Sequence, residues 1–345
     1  MAYQKKTKDP SYDELRQELA SGSVGCLYVF HGEETYLRDK SLEQMKELLL
    51  TGGLDDFNYH VLAGKDFSLS KLHGLVDAMP MMSERTMVVV NDWDMDKGDR
   101  EGLMELLGDL PDYVCLVFVY DVLEYKPDNR GKLAKLVKEK GRVVNFVRQE
   151  QKKLTRWVDA RFQALGHDIS GSDAEYLIFR CGDLMTGLIS EIEKVGAYAK
   201  GRRVTRQEID AVTTPQLDAV IFNLTDAIAA KNFDKAFSVL GDLLHMQEAP
   251  IKLLAALSKQ VRQLYTARLA VEGQKSVKWL MELWGLRQEF QAEKLLQSCR
   301  RFTLDWYRWA LLRCEGTDLL LKSTGADGQE TLVNLLLELA QRQAA

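Results

Sequence analysis

The first half of the chain contains one unbroken apolar run of strand-forming residues, Val114-Cys115-Leu116-Val117-Phe118-Val119. A run of this kind predicts a strand with both faces covered, as in the middle of a parallel sheet. Similar β-rich runs lie at residues 26–30, 59–62, 87–90 and 143–146. Helical patterns separate them at residues 35–50, 69–79, 101–107 and 132–138. This alternation predicts an α/β domain built on a parallel sheet.

The strand pattern ends near residue 149, and the remaining chain is predicted to be helical. Residues 151–212 predict four short helices, the last of which begins with a capping box, Thr205-Arg206-Gln207-Glu208. Pro215 then breaks the chain, because a proline disfavours helical conformation in the residue before it. We therefore expect three domains: α/β, small all-α and larger all-α, at residues 1–149, 150–214 and 215–345.

Two helices of the third domain are predicted from apolar residues that recur on one helical face. The residues are Leu217, Ile221, Leu224 and Ile228 in one helix, and Ile251, Leu254, Val261 and Leu264 in the other. Trp306 and Trp309 are spaced three residues apart; core packing is favoured for them over an interface anchor.

Composition limits the classes of function. The chain has 46 Lys and Arg against 51 Asp and Glu, a net charge of −5. This charge argues against a protein that binds nucleic acid by itself, without partner subunits, through neutralisation of phosphates. The five cysteines lack the spacing of a zinc site, so we expect reduced thiols and no metal. No apolar stretch approaches the ~20 residues of a membrane span, and a cytoplasmic protein without membrane contact is expected.

Several motifs, in order along nearly the whole chain, resemble those of the DNA polymerase III delta subunit family of bacterial sliding-clamp loaders. Near the first strand they are Gly32-Glu33-Glu34 and Tyr36-Leu37, followed by residues 77–85. Further on they are Gly182-Asp183-Leu184, Glu191, Glu193-Lys194, Tyr198, residues 222–228, Glu248-Ala249-Pro250, Gln260-Val261-Arg262 and residues 318–323.

The resemblance implies an AAA+-like (RecA-type) first domain, a small helical lid and a C-terminal collar. It also implies that the chain grips and opens the beta sliding clamp for loading onto primed DNA. Partner subunits of the tau/gamma and delta-prime type would assemble through the collar. Polymerase activity, a nucleotidyl transfer, would belong to the holoenzyme and not to this chain.

The expected ATPase chemistry is missing from the first domain. A phosphate-binding loop ends in Gly-Lys-Ser/Thr, whereas the corresponding position reads Gly32-Glu33-Glu34-Thr35. The two carboxylates would repel phosphates, so we expect no bound ATP. The sequence Asn91-Asp92-Trp93-Asp94 superficially resembles a magnesium-binding strand end but lacks the Asp-Glu pair. Solvated loop acids are favoured there over a residual metal site.

A methionine-rich segment, Met79-Pro80-Met81-Met82, lies between a predicted helix and the third strand. Proline ends the helix, and flexible thioethers suit an apolar pocket on a partner. From the residues alone, methionines that merely cap the sheet edge are the favoured interpretation. The resemblance instead implies that Met81 and Met82 take the position of the family's clamp-binding pair, flanked by Met79 and Pro80. The family more often has a Leu-Phe type of pair there.

Other candidates have plainer interpretations. Short basic pairs could face DNA, although solvated surface is favoured for Lys152, Lys153, Arg202 and Arg203, and also for Arg300 and Arg301. His31 has no nucleophile or acid spaced around it and is interpreted as non-catalytic. Two alternatives to the clamp-loader role stay open: an active AAA+ nucleotide hydrolase, and a helical scaffold unrelated to replication. A phosphate-release assay tests the first, and clamp binding tests the second.

Overall fold

The computed structural model describes residues 9–51, 55–63, 67–230, 232–245, 248–286, 289–323, 325 and 327–344. The chain divides into two compact units. The first extends to Arg148 and also contains Leu184–Thr186, and the second contains residues 149–183 and the chain from residue 187 onward. The further division of the second unit into two domains stays a prediction. Within the described ranges, no helix is long and apolar enough to cross a bilayer.

The first unit is built on a five-stranded, wholly parallel sheet in the order β2-β3-β4-β1-β5. All five predicted runs form these strands, so the parallel α/β prediction is confirmed. Val114–Val119 is the central strand β4, and all six of its residues are buried. The strands are β1 Leu27–His31, β2 Tyr59–Ala63, β3 Thr86–Asn91, β4 Val114–Val119 and β5 Arg142–Asn145.

Helices surround this sheet at nearly the predicted positions. They are α1 Ser11–Ser21, α2 Thr35–Leu49, α3 Asp55–Asn58, α4 Leu69–Asp77, α5 Arg100–Gly108 and α6 Lys132–Lys140. Helix α1 was not predicted; it buries Leu15 and Leu19, which are one helical turn apart. Helix α4 ends two residues before the predicted Met79. Ala78 is already extended there (φ −71°, ψ 125°), and Pro80 disfavours helix at Met79.

After Arg148 the chain forms four helices and one short strand pair. They are α7 Gln151–Ala164, α8 Gly171–Cys181, α9 Met185–Tyr198 and α10 Arg206–Val212, with β6 Asp168–Ile169 and β7 Arg203–Val204. The all-helical prediction for this stretch was therefore wrong in one detail, since β6 and β7 pair in parallel. Two-residue strands are too short to produce an alternating pattern. The capping box at Thr205 and Glu208 is confirmed.

The rest of the second unit is helical, as predicted. Its elements are α11 Leu217–Ala229, α12 Phe233–His245, α13 Pro250–Glu272, α14 Val277–Trp284, α15 Glu289–Ser298, the 3-10 helix Cys299–Arg301, α16 Leu304–Ser323 and α17 Gly328–Ala344. Ile251, which was placed on one helical face with Leu254, Val261 and Leu264, is 41% exposed in the first turn of α13. Trp306 is buried, and its ring stacks on that of Phe302 with 3.8 Å between the ring centroids. This confirms the core-packing interpretation for Trp306.

Candidate functional site

The methionine turn, residues 78–83, lies between α4 and β3 in the first unit. Its methionine side chains extend into solvent: Met79 and Met82 are each 81% exposed, and Met81 is 50% exposed. Met82 also has a left-handed backbone, with φ of 53°. A non-glycine residue rarely adopts this conformation without local support. The backbone of the turn must therefore be held by something other than burial of these side chains.

That support comes from Asn58, the last residue of α3, which is only 1% exposed. Its Nδ2 donates to the carbonyl oxygen of Met81 at 2.8 Å, and its Oδ1 accepts from the Met81 N–H at 2.7 Å. One buried amide thus satisfies both backbone polar groups of Met81. Sequence reasoning missed Asn58, because 23 residues separate it from Met81 and no local pattern indicates such a contact.

Two further apolar side chains are exposed beside the residues that contact the turn. Phe57, 56% exposed, precedes Asn58 in the chain. Leu48, 42% exposed, precedes Leu49, whose carbonyl oxygen accepts a hydrogen bond from the Ser83 hydroxyl at 3.4 Å. The chain neighbours of two residues that contact the turn are thus apolar and exposed. Exposed apolar residues are typical of interaction surfaces where they form a contiguous patch.

The connection from β1 to α2, where a phosphate-binding loop would lie, is closed. Only three residues separate His31 at the end of β1 from Thr35 at the start of α2. Gly32 has φ of 123°, and a Cβ there would lie 2.5 Å from the Phe146 carbonyl oxygen. The Glu34 N–H donates to this oxygen at 2.9 Å, and the Phe146 N–H donates to the His31 carbonyl at 2.7 Å. The backbone of Phe146 thus occupies the space beside Gly32, where a phosphate-binding loop would need room.

Both carboxylates of this connection have partners within the first unit. Glu34 is fully buried, and its two carboxylate oxygens lie 3.2 and 3.3 Å from the N–H of Met185, the first residue of α9. Glu33 accepts from Arg148 Nε at 2.5 Å. Helix N-termini attract anions, and here the chain supplies the anion itself.

Asp92, directly after β3, was interpreted as a solvated loop acid; it is half-buried, and its carboxylate also has a structural role. Its backbone is left-handed, with φ of 50°. Its Oδ1 accepts three backbone N–H groups, from Asp121, Val122 and Leu123, at 2.9, 2.9 and 3.0 Å. Asp92 therefore organises the loop that follows β4. The described part of the chain contains no group of three or more His, Cys, Asp or Glu side chains suited to hold a metal.

The remaining candidates are dispersed. Lys152 and Lys153 are exposed in the first turn of α7, and Arg203 is exposed in β7. Arg202 donates to Asp168 at 2.8 Å, so an acid already offsets its charge. The His31 ring packs 5.0 Å from the Tyr125 ring, and burial lowers the pKa of its imidazole.

Comparison with known proteins gives the same family for both units. A model of the DNA polymerase III delta subunit matches residues 28–147, and a model of its C-terminal domain matches residues 218–339. The DNA polymerase III subunit delta of Bacillus subtilis is 23% identical over 340 residues, covering 95% of this chain and 97% of its own. A probable counterpart from Aquifex aeolicus is 24% identical over 329 residues, covering 92% of each.

A solved structure described as the Bacillus subtilis DNA clamp loader delta protein has a similar fold. Its TM-score is 0.54 at 21% identity, and the match covers 96% of this chain and all of that one. The parallel-sheet unit followed by a helical unit, together with the matching models, defines a subunit of the DNA polymerase III type. The chain belongs to the DNA polymerase III delta subunit family.

Replacing Gly32 with alanine tests the closed connection. The new Cβ would meet the Phe146 backbone, and φ of 123° is strained for any side chain, so we expect a loss of about 1–3 kcal/mol in the free energy of unfolding. Urea unfolding measures this loss. Gly74→Ala is the control, because a Cβ at Gly74 meets nothing within 4 Å. Equal stability of the two variants would show that a side chain fits at residue 32 and that the connection is not closed.

Replacing Asp92 tests its role in the loop after β4. Asp92→Ala removes the acceptor of three N–H groups and is expected to lower the free energy of unfolding by roughly 1–3 kcal/mol. Asp92→Asn keeps an oxygen acceptor and tolerates the left-handed backbone, so its loss should be smaller. Thermal unfolding with and without Mg²⁺ distinguishes this structural role of Asp92 from a residual metal site. A residual metal site predicts stabilisation by Mg²⁺ that both variants lose.

Proposed function

We propose that this protein binds the beta sliding clamp through the methionine turn and opens the ring for loading onto DNA. The observation that carries the proposal is the set of exposed methionines on a turn fixed by Asn58. Membership of the DNA polymerase III delta subunit family supports a role in DNA replication. Met81 and Met82 are the proposed anchors, with Met79 and Pro80 beside them.

The energetics of the turn suit an interface anchor. Full burial of a methionine side chain contributes about 1.5–3 kcal/mol, and Met82 has most of its surface left to bury. Thioether side chains adapt to the shape of an apolar pocket. A turn that is already ordered loses little conformational entropy on binding, so more of this energy appears as affinity.

Ring opening would follow from unequal affinity for two states of the clamp. A ligand shifts an equilibrium only by the difference between its affinities for the two states. In this proposal the methionine turn provides attachment, and neighbouring parts of the first unit contact the open ring more favourably than the closed one. Binding then raises the population of open rings without a chemical step in this chain.

The chain is proposed to be non-catalytic and to need no ATP and no zinc. Support comes from the three-residue connection after β1 and from Glu33 and Glu34, whose carboxylates are engaged by the chain itself. ATP-binding subunits of the tau/gamma type would then control exposure of the clamp-binding surface in trans. Those subunits and a delta-prime type subunit would assemble through residues 215–345.

Primed DNA would be held by the whole assembly, in the cytoplasm, where bacterial replication takes place. Lys152, Lys153, Arg202 and Arg203 are the proposed contacts of this chain with DNA. The bond between Arg202 and Asp168 weakens that part of the proposal for Arg202.

Clamp binding is the direct test. With the clamp immobilised, Met81→Ala/Met82→Ala is expected to weaken binding by about 100-fold, since two central apolar anchors are lost. Val122→Ala is the control, because Val122 is 86% exposed in the same unit but lies on the loop organised by Asp92. Binding that survives the double substitution would place the contact elsewhere. Absence of binding by the folded wild type would overturn the proposal.

Nucleotide binding is tested separately by calorimetric titration with Mg-ATP. We expect no saturable heat, because backbone and internal carboxylates occupy the position of the phosphate loop. Phosphate release by the isolated chain should equal that of a buffer blank. Saturable binding tighter than about 1 mM would contradict the non-catalytic proposal and favour a nucleotide-dependent protein.

A further inference from the structure

We propose that Asn58 is a positioning residue, which fixes the methionine turn in the conformation that the clamp recognises. The inference rests on the proposed clamp binding and identifies what prepares that site. Asn58 lies outside the turn, on α3, and reaches Met81 through two hydrogen bonds of 2.7 and 2.8 Å. Both are shorter than the 3.4 Å hydrogen bond that the Ser83 hydroxyl donates to the Leu49 carbonyl oxygen.

The two bonds make burial of Asn58 depend on the shape of the turn. A buried amide is costly unless its donor and its acceptor are both satisfied. The Met81 N–H and carbonyl satisfy both only while the turn holds its present course. In an antiparallel sheet, one residue bonds both the N–H and the carbonyl of the residue opposite it. Here the Asn58 side-chain amide makes the same two bonds to Met81. Movement of the turn would break both of these hydrogen bonds to a buried amide.

The turn requires such support because its own side chains supply little. Met79 and Met82 are 81% exposed, and their contacts with the protein are correspondingly small. Met82 also holds φ of 53°, a conformation that an L residue leaves readily when unsupported. Pre-ordering the turn removes an entropic cost from association and raises affinity without adding any contact to the partner.

The position predicts the effect of two substitutions. Asn58→Ala removes both bonds to Met81. Asn58→Asp keeps an acceptor for the Met81 N–H but sets an oxygen against the Met81 carbonyl, where a donor is required. Both variants should bind the clamp more weakly. The effect is indirect, because the side chain at residue 58 is buried and acts through Met81.

A double-mutant cycle separates positioning from general damage. Clamp affinity is measured for the wild type, Asn58→Ala, Met81→Ala/Met82→Ala and the triple variant, at a temperature where circular dichroism shows all four folded. We expect Asn58→Ala to weaken binding about tenfold in the wild-type background. In the Met81→Ala/Met82→Ala background it should have almost no further effect, because the side chains that it positions are absent.

The control is Ser41→Ala, a substitution of another buried polar residue in the first unit. The Ser41 hydroxyl donates to the Leu37 carbonyl within its own helix, at 2.7 Å. Its loss should lower stability without changing clamp affinity. An equal loss of affinity in Asn58→Ala and Ser41→Ala would overturn the positioning role.

A second readout needs no clamp. In the free protein labelled with ¹³C at the methionine methyl groups, Asn58→Ala should narrow the Met81 and Met82 signals and move them toward the positions of disordered methionine. The signals of Met45 and Met87, both fully buried, should stay in place and serve as internal controls. Unchanged Met81 and Met82 signals would overturn the inference, whatever the clamp does.

The two proposals fail in distinguishable ways. If the wild type binds the clamp through Met81 and Met82, and Asn58→Ala binds equally well, the positioning role is wrong and the proposed function stands. An equal effect of Asn58→Ala in both backgrounds also overturns positioning through the turn. If the folded wild type does not bind the clamp, the proposed function fails and the role of Asn58 in clamp recognition fails with it.

Discussion

The first unit depends on the complete burial of β4 between β3 and β1. All six residues of Val114–Val119 are buried, so every backbone polar group of the strand requires a partner from a neighbouring strand. Parallel neighbours can meet this requirement only if helices connect them across the faces of the sheet. This constraint aligns all the strands and gives the sheet two chemically different edges, one at their carboxyl ends and one at their amino ends.

The two edges carry different features. Open α/β sheets usually bind ligands at the carboxyl ends of their strands. In this protein that edge is filled by the chain itself: Gly32–Glu34 follow β1, and Asp92 follows β3 and holds the loop after β4. Asn58 directly precedes β2, and the methionine turn ends two residues before β3, so both lie at the amino-terminal edge. The exposed apolar side chains thus lie opposite the edge where a nucleotide would bind.

The parts of the fold that were predictable from sequence are those governed by nearby residues. Apolar runs predicted the five strands, and Thr205 and Glu208 predicted a helix start, because these patterns act within a few residues. Asn58 and Asp92 act over 23 and about 30 residues, and their roles become apparent only once the sheet has set β2, β3 and β4 in order. The sequence located the methionine segment, but the contact that orders it could not be predicted.

The closed carboxyl edge supports the proposal that this chain needs no nucleotide. In a phosphate-binding protein the ligand satisfies backbone donors at a helix N-terminus. Here the buried carboxylate of Glu34 accepts the Met185 N–H, and Phe146 pairs with the backbone on both sides of Gly32. The chain therefore meets internally the requirement that a phosphate would meet. If the subunit opens a clamp as proposed, nucleotide binding must act on it through partner subunits.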